Sequence, residues 1–472
     1  MSAQALWSGK AVLEVTGGIG AARWNAQGVS IDTRTLKPDD LFVALKGEHH
    51  DGHGFINDAF AEGAVAALVD RSHHRANGGT GGDHIQVANP LQALANLAAH
   101  ARARTSAKIV AVTGSVGKTG TKNALGHVLS SLTPKTHASA LSHNNQWGVP
   151  LSLARLPADA NFGIFEVGMN RAGEITPLSR LIAPDVALVT TVQPAHTEFF
   201  NSMEEIADAK AEIFNGLRQG GVAVLGCDDT WFGRLNNAAK RAGAKVITFG
   251  KSQNADIRLA GAEEGGESSR VEAEVEGVRV KYTLGVPGSH WIGNSLAVLA
   301  CCHALGINAK DVAPAFASLQ VPSGRGTRRK IGHKNGNILL IDESYNANPA
   351  SMEAAIVTLG KHPVEANARR ILALGDMFEL GDDAKQWHLS LLPVIKDAGI
   401  NLVFSCGEQM RHLFDALPSE MQGKHCSDAA VLAQTLEGVL RDGDAVMVKG
   451  SNGMGMKRII KHIESKSVEG KE

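Results

Sequence analysis

Short apolar runs alternate with stretches of helical periodicity through most of the chain. Residues 109–112 read Ile-Val-Ala-Val, and beyond a glycine-rich turn Leu125, Val128, Leu129 and Leu132 recur at the spacing of one helix face. Comparable strand-like runs lie at residues 162–165, 185–190, 338–341, 371–374, 402–405 and 445–448. Because buried strands that alternate with amphipathic helices are typical of sheets covered by helices, the pattern predicts an α/β fold built on parallel strands.

Breaks in this pattern divide the chain into three predicted domains. Residues 1–105 form a small α/β unit, residues 106–326 a central parallel-sheet unit, and residues 327–472 a further alternation of strands and helices. Four apolar strands of the last unit end in small or charged residues, which predicts a doubly wound sheet with ligand groups at its carboxyl edge. Residues 271–282 instead alternate with period two around Gly277, which predicts an antiparallel hairpin inserted in the central unit.

The glycine-rich turn after the first central strand has the pattern of a phosphate-binding loop. Residues 114–119 read Gly-Ser-Val-Gly-Lys-Thr between a predicted strand and a predicted helix. Glycines let the backbone curl round an anion, and the N–H groups of the first helical turn favour it. Lys118 can neutralise terminal phosphate charge, and the Thr119 hydroxyl can ligate Mg²⁺. The longer form of the pattern requires a glycine where Val112 stands, so an ordinary strand-to-helix turn remains an alternative here.

Two charged residues of the central unit stand where charge is unusual. Glu166 ends a predicted strand, a position where a carboxylate commonly holds Mg²⁺, although helix capping or ion pairing would also account for it. Lys210 lies on the apolar stripe of a later helix, seven residues from both Met203 and Leu217. An ammonium on a core-facing stripe is costly unless it pairs or reaches water.

The first unit contains polar residues at the ends of its predicted strands. Ser30, Asp32 and Arg34 alternate with less polar neighbours, and Lys46 closes the next apolar run. Together they could hold an anionic ligand, or they could belong to two solvated turns. The amide-rich turn at residues 143–150 could orient a peptide substrate, or its amides could only cap the backbone.

Composition excludes several classes of protein. The 472 residues carry 47 Lys and Arg against 48 Asp and Glu, and this net charge of −1 gives no support for a nucleic-acid partner. The first residues lack the pattern of a signal peptide, and no apolar run approaches the roughly 20 residues of a membrane span. The five cysteines show no C-x-x-C spacing, which indicates free thiols in a reducing compartment. We therefore expect a cytoplasmic protein without membrane insertion.

Taken together, the motifs resemble the Mur ligase family over nearly the whole chain. The pieces that carry the resemblance stand in family order: the loop at 114–119, Asn144-Asn145, Glu166-Val-Gly168, Ala195-His196-Thr-Glu198, Ala209-Lys210-Ala-Glu212, Gly288-x-His290-x-x-x-Asn294, Gly324-Arg325, Asp342-Glu-Ser-Tyr345-Asn-Ala-Asn348 and Gly375-Asp-Met-x-Glu-Leu-Gly381. The resemblance implies a UDP-binding first domain, a central ATPase domain and a Rossmann-like third domain that closes on them and binds the incoming amine.

Within the family, the resemblance is greatest to the ligase that adds D-alanyl-D-alanine to UDP-N-acetylmuramoyl-tripeptide. It implies an ATP-dependent, ADP-forming enzyme that works through an acyl phosphate, acts in the last cytoplasmic step of peptidoglycan precursor synthesis, and is a monomer. The sequence lacks the D-N-P-R stretch with which the preceding ligase of that pathway reads diaminopimelate. Alternatives are a related ligase that adds a diamino acid or glutamate and, in another class, a nucleotide switch or kinase.

The resemblance also assigns roles to residues. Lys118, Lys210 and His196 would be catalytic, and Lys210 would be carbamylated. Two Mg²⁺ ions would be held by Thr119, Glu166, His196 and the modified Lys210. ATP would contact Gly114, Ser115, Val116, Gly117, Lys118, Thr119, Gly120, Asn294, Arg325 and Asp342. Among the substrate-binding residues, the uridine and diphosphate would contact Ser30, Asp32, Arg34 and Lys46. The dipeptide pocket would be shaped by Tyr345, Asn346 and Asn348, and Asn144 and Asn145 would also bind substrate. Two positions depart from the family: Gly120 replaces a frequent hydroxyl residue, and Trp147 stands where smaller residues are usual.

Overall fold

Three main sheets follow one another along the computed structural model, which describes residues 5–47, 50–72, 82–140, 143–195 and 197–467. The sheets have four, nine and six strands, and helices cover them. This architecture confirms the predicted α/β class with three domains. The boundaries at 105 and 326 stay predictions, and the sheets lie within residues 28–87, 108–284 and 327–449.

The first unit is a four-stranded parallel sheet beside a short antiparallel pair. Its elements are β1 (Trp7–Ser8), α1 (Gly9–Thr16), β2 (Asn25–Ala26), β3 (Gly28–Ser30), β4 (Asp40–Val43), α2 (Ile56–Ala61), β5 (Ala66–Asp70), β6 (Asp83–Val87) and α3 (Pro90–Ala103). The sheet order is β3-β4-β5-β6. Strand β4 is buried throughout, because Leu41 and Val43 enter one core while Phe42 enters the other.

The central unit is a nine-stranded sheet that carries the phosphate loop near its middle. Its elements are β7 (Lys108–Thr113), α4 (Lys118–Leu132), β8 (Thr136–Ala138), α5 (Gly148–Ala154), β9 (Phe162–Glu166), α6 (Ile175–Ile182), β10 (Val186–Val189), α7 (Met203–Ala211), β11 (Val222–Gly226), α8 (Phe232–Arg241), β12 (Lys245–Gly250), β13 (Ile257–Glu264), β14 (Ser269–Val275), β15 (Val278–Leu284), α9 (Ser289–Ala304) and α10 (Ala309–Val312). The order is β15-β14-β13-β12-β11-β10-β7-β9-β8.

Both faces of the central sheet are covered. Along β7, Val110 and Val112 enter the core with α4 and α9, whereas Ile109 and Ala111 enter the core on the opposite face. The predicted hairpin is β14 and β15, joined by a turn at Glu276 and Gly277 that both have positive φ. It extends the main sheet through β13, a strand that the sequence did not reveal because its second half is polar and exposed.

The third unit is a six-stranded sheet of the predicted doubly wound type. Its elements are β16 (Thr327–His333), β17 (Gly336–Glu343), α11 (Pro349–Gly360), β18 (Arg370–Gly375), α12 (Ala384–Leu389), α13 (Leu391–Asp397), β19 (Leu402–Cys406), α14 (Glu408–Ala416), β20 (Gln422–Cys426), α15 (Ala429–Val439), β21 (Ala445–Lys449) and α16 (Lys457–Ser465). The order is β16-β17-β21-β18-β19-β20, and only β16 runs antiparallel to its neighbour. The four predicted strands are β17, β18, β19 and β21. The two edge strands lack an apolar run because they are not buried on both faces.

The first unit packs on the central unit through α3 and α5. The indole N–H of Trp7 donates to the Ala154 carbonyl oxygen at 2.8 Å, at the end of α5. Arg102 of α3 donates to the carbonyl oxygen of Ile182 at 2.8 Å, at the end of α6. These contacts fix the first unit against the central unit at the ends of helices α5 and α6.

Hydrogen bonds and an ion pair join the third unit to the central unit. Glu264, at the end of β13, pairs with Lys361 beyond α11 at 2.8 Å. The Glu198 N–H donates to the Glu379 carbonyl oxygen at 3.3 Å. Within the described ranges, the structure contains no helix with the length and apolar character needed to cross a bilayer.

Candidate active site

The phosphate loop joins β7 to α4 and depends on two glycines with positive φ. Gly114 has φ 144° and Gly117 has φ 86°, conformations that strain a residue with a side chain. A Cβ on Gly114 would lie 2.0 Å from Thr190 Oγ1, so the loop leaves no room for one. Thr190 donates to the Val116 carbonyl oxygen at 2.6 Å and so holds the loop in shape. In the described structure no side chain caps α4 at Gly117, which leaves its first N–H groups to an anion.

Lys118 is folded onto this loop. Its Nζ donates to the Gly114 carbonyl oxygen at 2.6 Å and lies 3.5 Å from the Ser115 carbonyl oxygen. Burial lowers the pKa of the Lys118 amine, whereas the nearby Glu166 carboxylate opposes that shift. The amine is therefore placed inside the curve of the loop, where a terminal phosphate would replace the carbonyl oxygens as its partner.

Thr119, Glu166 and Asn144 form one hydrogen-bonded group at the carboxyl ends of β7 and β9. The Thr119 hydroxyl donates to Glu166 Oε2 at 2.8 Å, and the Asn144 amide donates to Glu166 Oε1 at 2.8 Å. Glu166 is almost fully buried, with 1% of its surface exposed. A hydroxyl and a carboxylate side by side are the hard oxygen ligands that Mg²⁺ prefers. Glu166 caps no described helix, but its carboxylate also acts on the nearby amines of Lys118 and Lys122, so its role as a Mg²⁺ ligand stays a prediction.

Lys210 lies in the last turn of α7 with only 2% of its surface exposed. Among the described residues, no hydrogen bond or ion pair joins its Nζ to a carboxylate. Burial and the nearby charge of Lys118 hold the pKa of the Lys210 amine well below its usual value. A neutral amine is therefore favoured at this position.

Helix α9 passes beside the loop and brings Asn294 to it. Asn294 Oδ1 lies 3.0 Å from the position that a Cβ on Gly117 would take, and its Nδ2 lies 3.6 Å from that of Gly120. The edge of the Trp291 ring lies 3.1 Å from the Gly120 position. Asn294 is thus where the resemblance places a nucleotide contact, and the indole edge leaves little space for a side chain at 120.

Arg325 and Asp342 lie where the chain passes from the central to the third unit. The Arg325 guanidinium lies over the Tyr345 ring, 4.3 Å from its centroid, and its charge lowers the pKa of Lys118. The Asp342 carboxylate accepts from the Ser344 N–H at 3.1 Å and from its hydroxyl at 2.6 Å. Arg325 therefore faces the phosphate loop, and Asp342 is held rigid at the end of β17.

The predicted amine-side residues of the third unit differ in what they can do. The Asn346 side chain is exposed, and its carbonyl oxygen accepts from Lys449 at 3.0 Å. The Asn348 side chain accepts from the Ser351 N–H at 2.9 Å as the N-cap of α11. Asn346 is thus free to contact a ligand, whereas Asn348 is engaged in holding the helix.

A cleft of about 1460 Å³ lies between the first and central units. Among the predicted substrate residues, it is lined by Ser30, Asp32, Arg34, Lys46 and Asn145. Asp32 accepts two hydrogen bonds from the Arg34 guanidinium, and the shortest of their contacts is 2.6 Å. This pairing lowers the pKa of the Asp32 carboxyl. The structure therefore brings the first-unit residues together at one cleft, and their role in holding an anionic ligand stays a prediction.

One predicted residue of the site lies outside the described structure, and the structure adds two residues that were not predicted from the sequence. His196 falls outside the described residues. Lys122 is 1% exposed and donates to the Ser139 carbonyl oxygen at 2.6 Å, one turn beyond Lys118. Its position three residues before Leu125 on the apolar stripe was the signal that could have revealed it. Arg155, from the end of α5, lines the cleft, and no local sequence pattern singles it out.

Sequence comparison identifies the units of the chain. Residues 25–102 match the Mur ligase family catalytic domain, residues 112–302 the Mur ligase middle domain, and residues 327–452 the Mur ligase glutamate ligase domain. The chain is 30% identical to the UDP-N-acetylmuramoyl-tripeptide–D-alanyl-D-alanine ligase of Rickettsia prowazekii, over 93% of this chain and 96% of that protein. It is 33% identical to the ligase of the same name from Escherichia coli, over 92% and 93%.

Structural comparison agrees along the whole chain. A crystal structure of MurF from Acinetobacter baumannii superposes with a TM-score of 0.83 at 26% identity, over 98% of this chain and 99% of that one. MurF ligase from Thermotoga maritima in complex with ADP superposes with a TM-score of 0.75 at 26% identity, over 93% and 97%. With its three domains matched in order and its relatives aligned over almost their full length, the chain belongs to the Mur ligase family of ATP-dependent ligases.

Proposed function

We propose that this ligase joins D-alanyl-D-alanine to UDP-N-acetylmuramoyl-tripeptide, with conversion of ATP to ADP and phosphate. The relatives that align over nearly their whole length carry that name. The reaction would complete the nucleotide-linked pentapeptide precursor of peptidoglycan in the cytoplasm, and the enzyme would act as a monomer. It would therefore serve cell-wall synthesis, cell shape and division.

One observation carries the proposal. Asn144 and Asn145 are adjacent in a single turn, yet Asn144 bonds Glu166 beside the phosphate loop and Asn145 lines the cleft of the first unit. The cleft and the loop therefore open at the same edge of the central sheet. A substrate held in the cleft by its nucleotide end can present an acyl group to the loop, which is the arrangement that a carboxylate-activating ligase needs.

The chemistry follows from this arrangement. A carboxylate oxygen of the tripeptide attacks the γ-phosphorus of ATP, and the bond between that phosphorus and the bridging oxygen breaks to release ADP. Lys118 would balance the charge of the transferring phosphoryl group. The amine of the dipeptide then attacks the acyl carbon, loses a proton, and displaces phosphate as the amide forms.

The nucleotide would lie between the loop and the linker. Backbone N–H groups from Gly114 to Gly120 would hold the phosphates, while Asn294, Arg325 and Asp342 would contact the remainder of ATP. Because Arg325 comes from the linker, nucleotide binding would involve both the central and third units. Tyr345 and Asn346 would contact the dipeptide from the third unit, and Asn348 would act indirectly by capping α11.

The donor set fits Mg²⁺. The Thr119 hydroxyl and the Glu166 carboxylate would hold one ion, which supplies charge neutralisation for the phosphates when bound. A second ion would involve His196 and Lys210. The buried, neutral-favouring Lys210 amine can add to CO₂ with loss of a proton, and the resulting carbamate would replace a cation with an oxygen ligand. This modification would account for a nearly buried lysine that pairs with no carboxylate among the described residues.

The test is a substrate panel with the purified full-length protein. UDP-N-acetylmuramoyl-tripeptide, with either lysine or diaminopimelate as its third residue, is combined with ATP, Mg²⁺ and one amine at a time. We expect ADP release and a product of pentapeptide mass only with D-alanyl-D-alanine. Turnover with a single diamino acid or glutamate and none with the dipeptide would indicate a different ligase, and phosphate retained on a product would indicate a kinase.

A further inference from the structure

The cleft between the first and central units must hold a polyanion if the proposed function is correct. A UDP-linked peptide carries a diphosphate and several carboxylates. Of the predicted cations, Arg34 is already engaged, because its Nε and Nη2 donate to the Asp32 carboxylate. It also lies at the rim, where 85% of its side chain is exposed. Lys46 lies at the other side, beside Gly47. The predicted residues therefore leave the interior of the cleft short of positive charge.

Helix α5 forms the central-unit wall of this cleft. Trp147, Leu151 and Arg155 follow one another at four-residue intervals, so they share one face, and all three line the cleft. At about 1.5 Å per residue, Arg155 lies roughly 12 Å along the helix from Trp147. The Trp147 end adjoins the amide turn that reaches Glu166. Arg155 therefore lies at the end of the wall that is distant from the reacting groups.

The Arg155 guanidinium is held rigid at one end and open at the other. Its Nε donates to the Val29 carbonyl oxygen at 2.6 Å, directly before Ser30. Its terminal nitrogens have no hydrogen-bond partner among the described residues, and the side chain is half-buried. Asp40 is the carboxylate that acts on it, but Asp40 itself accepts from the Lys37 N–H at 3.0 Å. A planar cation fixed by Nε presents its two remaining groups as a preformed fork for an oxyanion.

We propose that Arg155 binds an oxyanion of the UDP-linked acyl substrate, and this proposal rests on the proposed function. The oxyanion is either the diphosphate or a carboxylate of the peptide, since both present the paired oxygens that a guanidinium recognises. Arg155 is thus a substrate-binding residue supplied by the central unit to a site formed mainly by the first unit. It also ties the two units together through Val29.

Replacing Arg155 by glutamine separates an effect on substrate binding from an effect on the stability of the fold. Its Nε2 occupies the same place along the side chain as the arginine Nε, so Arg155→Gln keeps a donor for Val29 and removes the charged fork. Arg155→Met removes the donor to Val29 and the charge. Arg155→Lys keeps a positive charge without the paired terminal N–H groups. Arg180→Met is the matched control, because Arg180 is an exposed arginine of α6 outside the cleft.

The experiment measures Kd by titration calorimetry for UDP-tripeptide, for UDP and for ADP, together with thermal unfolding of each variant. We expect Arg155→Gln to unfold near the wild-type temperature and to bind UDP-tripeptide about 10- to 100-fold more weakly, the range for loss of a charge-assisted pair. Its ADP affinity should be unchanged, and its UDP-tripeptide affinity should depend less on salt than that of the wild type. Arg180→Met should match the wild type throughout.

Each outcome decides the proposal. Weaker binding of both UDP and UDP-tripeptide identifies the diphosphate, and weaker binding of UDP-tripeptide alone identifies a peptide carboxylate. A UDP-tripeptide Kd within about twofold of wild type in Arg155→Gln, or an equal loss of ADP affinity, would overturn the role of Arg155. A wild-type enzyme that binds UDP-tripeptide without joining the dipeptide would instead overturn the proposed function, while the Kd comparison would still decide Arg155.

Discussion

The shape of the phosphate loop can be tested by adding one methyl group at Gly114. Its φ of 144° is unfavourable for alanine, and the new Cβ would lie 2.0 Å from Thr190 Oγ1. Thr190 would have to leave its hydrogen bond to the Val116 carbonyl oxygen, which lies at 2.6 Å. The backbone strain costs about 1–3 kcal/mol and the lost hydrogen bond about 1 kcal/mol.

Together these terms disfavour the binding-competent loop by roughly 2–4 kcal/mol, which corresponds to about 30- to 700-fold at about 1.4 kcal/mol per tenfold. Because the apparent Kd rises in inverse proportion to the fraction of molecules that keep the competent loop, Gly114→Ala should weaken ADP binding by about this factor. Affinity for the UDP-linked substrate should change little, since Gly114 lies outside the cleft.

Gly120→Ala is the matched control within the same loop. Its backbone is helical, and the added Cβ would meet only the edge of the Trp291 ring at 3.1 Å, a side chain that can shift by a few tenths of an ångström. We expect less than about a fivefold change in ADP affinity. Titration calorimetry with ADP and Mg²⁺ on both variants, with thermal unfolding alongside, compares them directly. If a folded Gly114→Ala protein bound ADP within about threefold of wild type, the argument that this glycine shapes the nucleotide site would fail.

Three further substitutions test individual groups, each in a variant first shown to unfold near the wild-type temperature. Lys118→Ala should lower kcat by about 10²- to 10³-fold with little effect on dipeptide KM, and full activity would remove Lys118 from phosphoryl transfer. Lys210→Ala should nearly abolish turnover and regain part of it with short carboxylates such as formate or acetate; an unmodified amine in the electron density of an active crystal would contradict carbamylation. Glu166→Gln should raise the Mg²⁺ concentration for half-maximal activity by at least about tenfold, and an unchanged Mg²⁺ dependence would exclude a ligand role.

The parts of the fold that could be predicted are those where burial imposes a pattern on the sequence. Strands such as β7 and β21 are buried on both faces and therefore appear as continuous apolar runs. β16 and β20 lie at sheet edges, where one face can be polar, and β20 reads Gln-Gly-Lys-His-Cys. Pairing with the neighbouring strand creates these edge strands, since β16 pairs with β17 and β20 with β19, and such pairing needs no continuous apolar run.

The residues of the site also differ in whether a local sequence pattern reveals them. The loop at 114–119 was predictable because its glycines and its helix start are local features. Asn348 was assigned to a ligand, although Asn-Pro followed by Ser351 is also the local pattern of an N-cap, which is the role it has here. Arg155 was missed because its partner Val29 lies in another unit, 126 residues away. Contacts between units leave no periodic trace in either segment.

The charged groups around the phosphate loop shift the pKa values of their neighbours. The charge of Arg325 lowers the pKa of both Lys118 and Lys122, and the Glu166 carboxylate opposes that shift at both amines. Lys118 in turn lowers the pKa of Lys210. Burial and this positive charge both lower the pKa of the Lys210 amine and so favour its neutral form, which is the form that can add CO₂. Once a carbamate has formed, Lys118 would stabilise it by attraction, so the field that prepares the amine also retains the product. If Lys210 is carbamylated as proposed, this reversal of charge at one buried position would give a site rich in cations the oxygen ligands that Mg²⁺ requires.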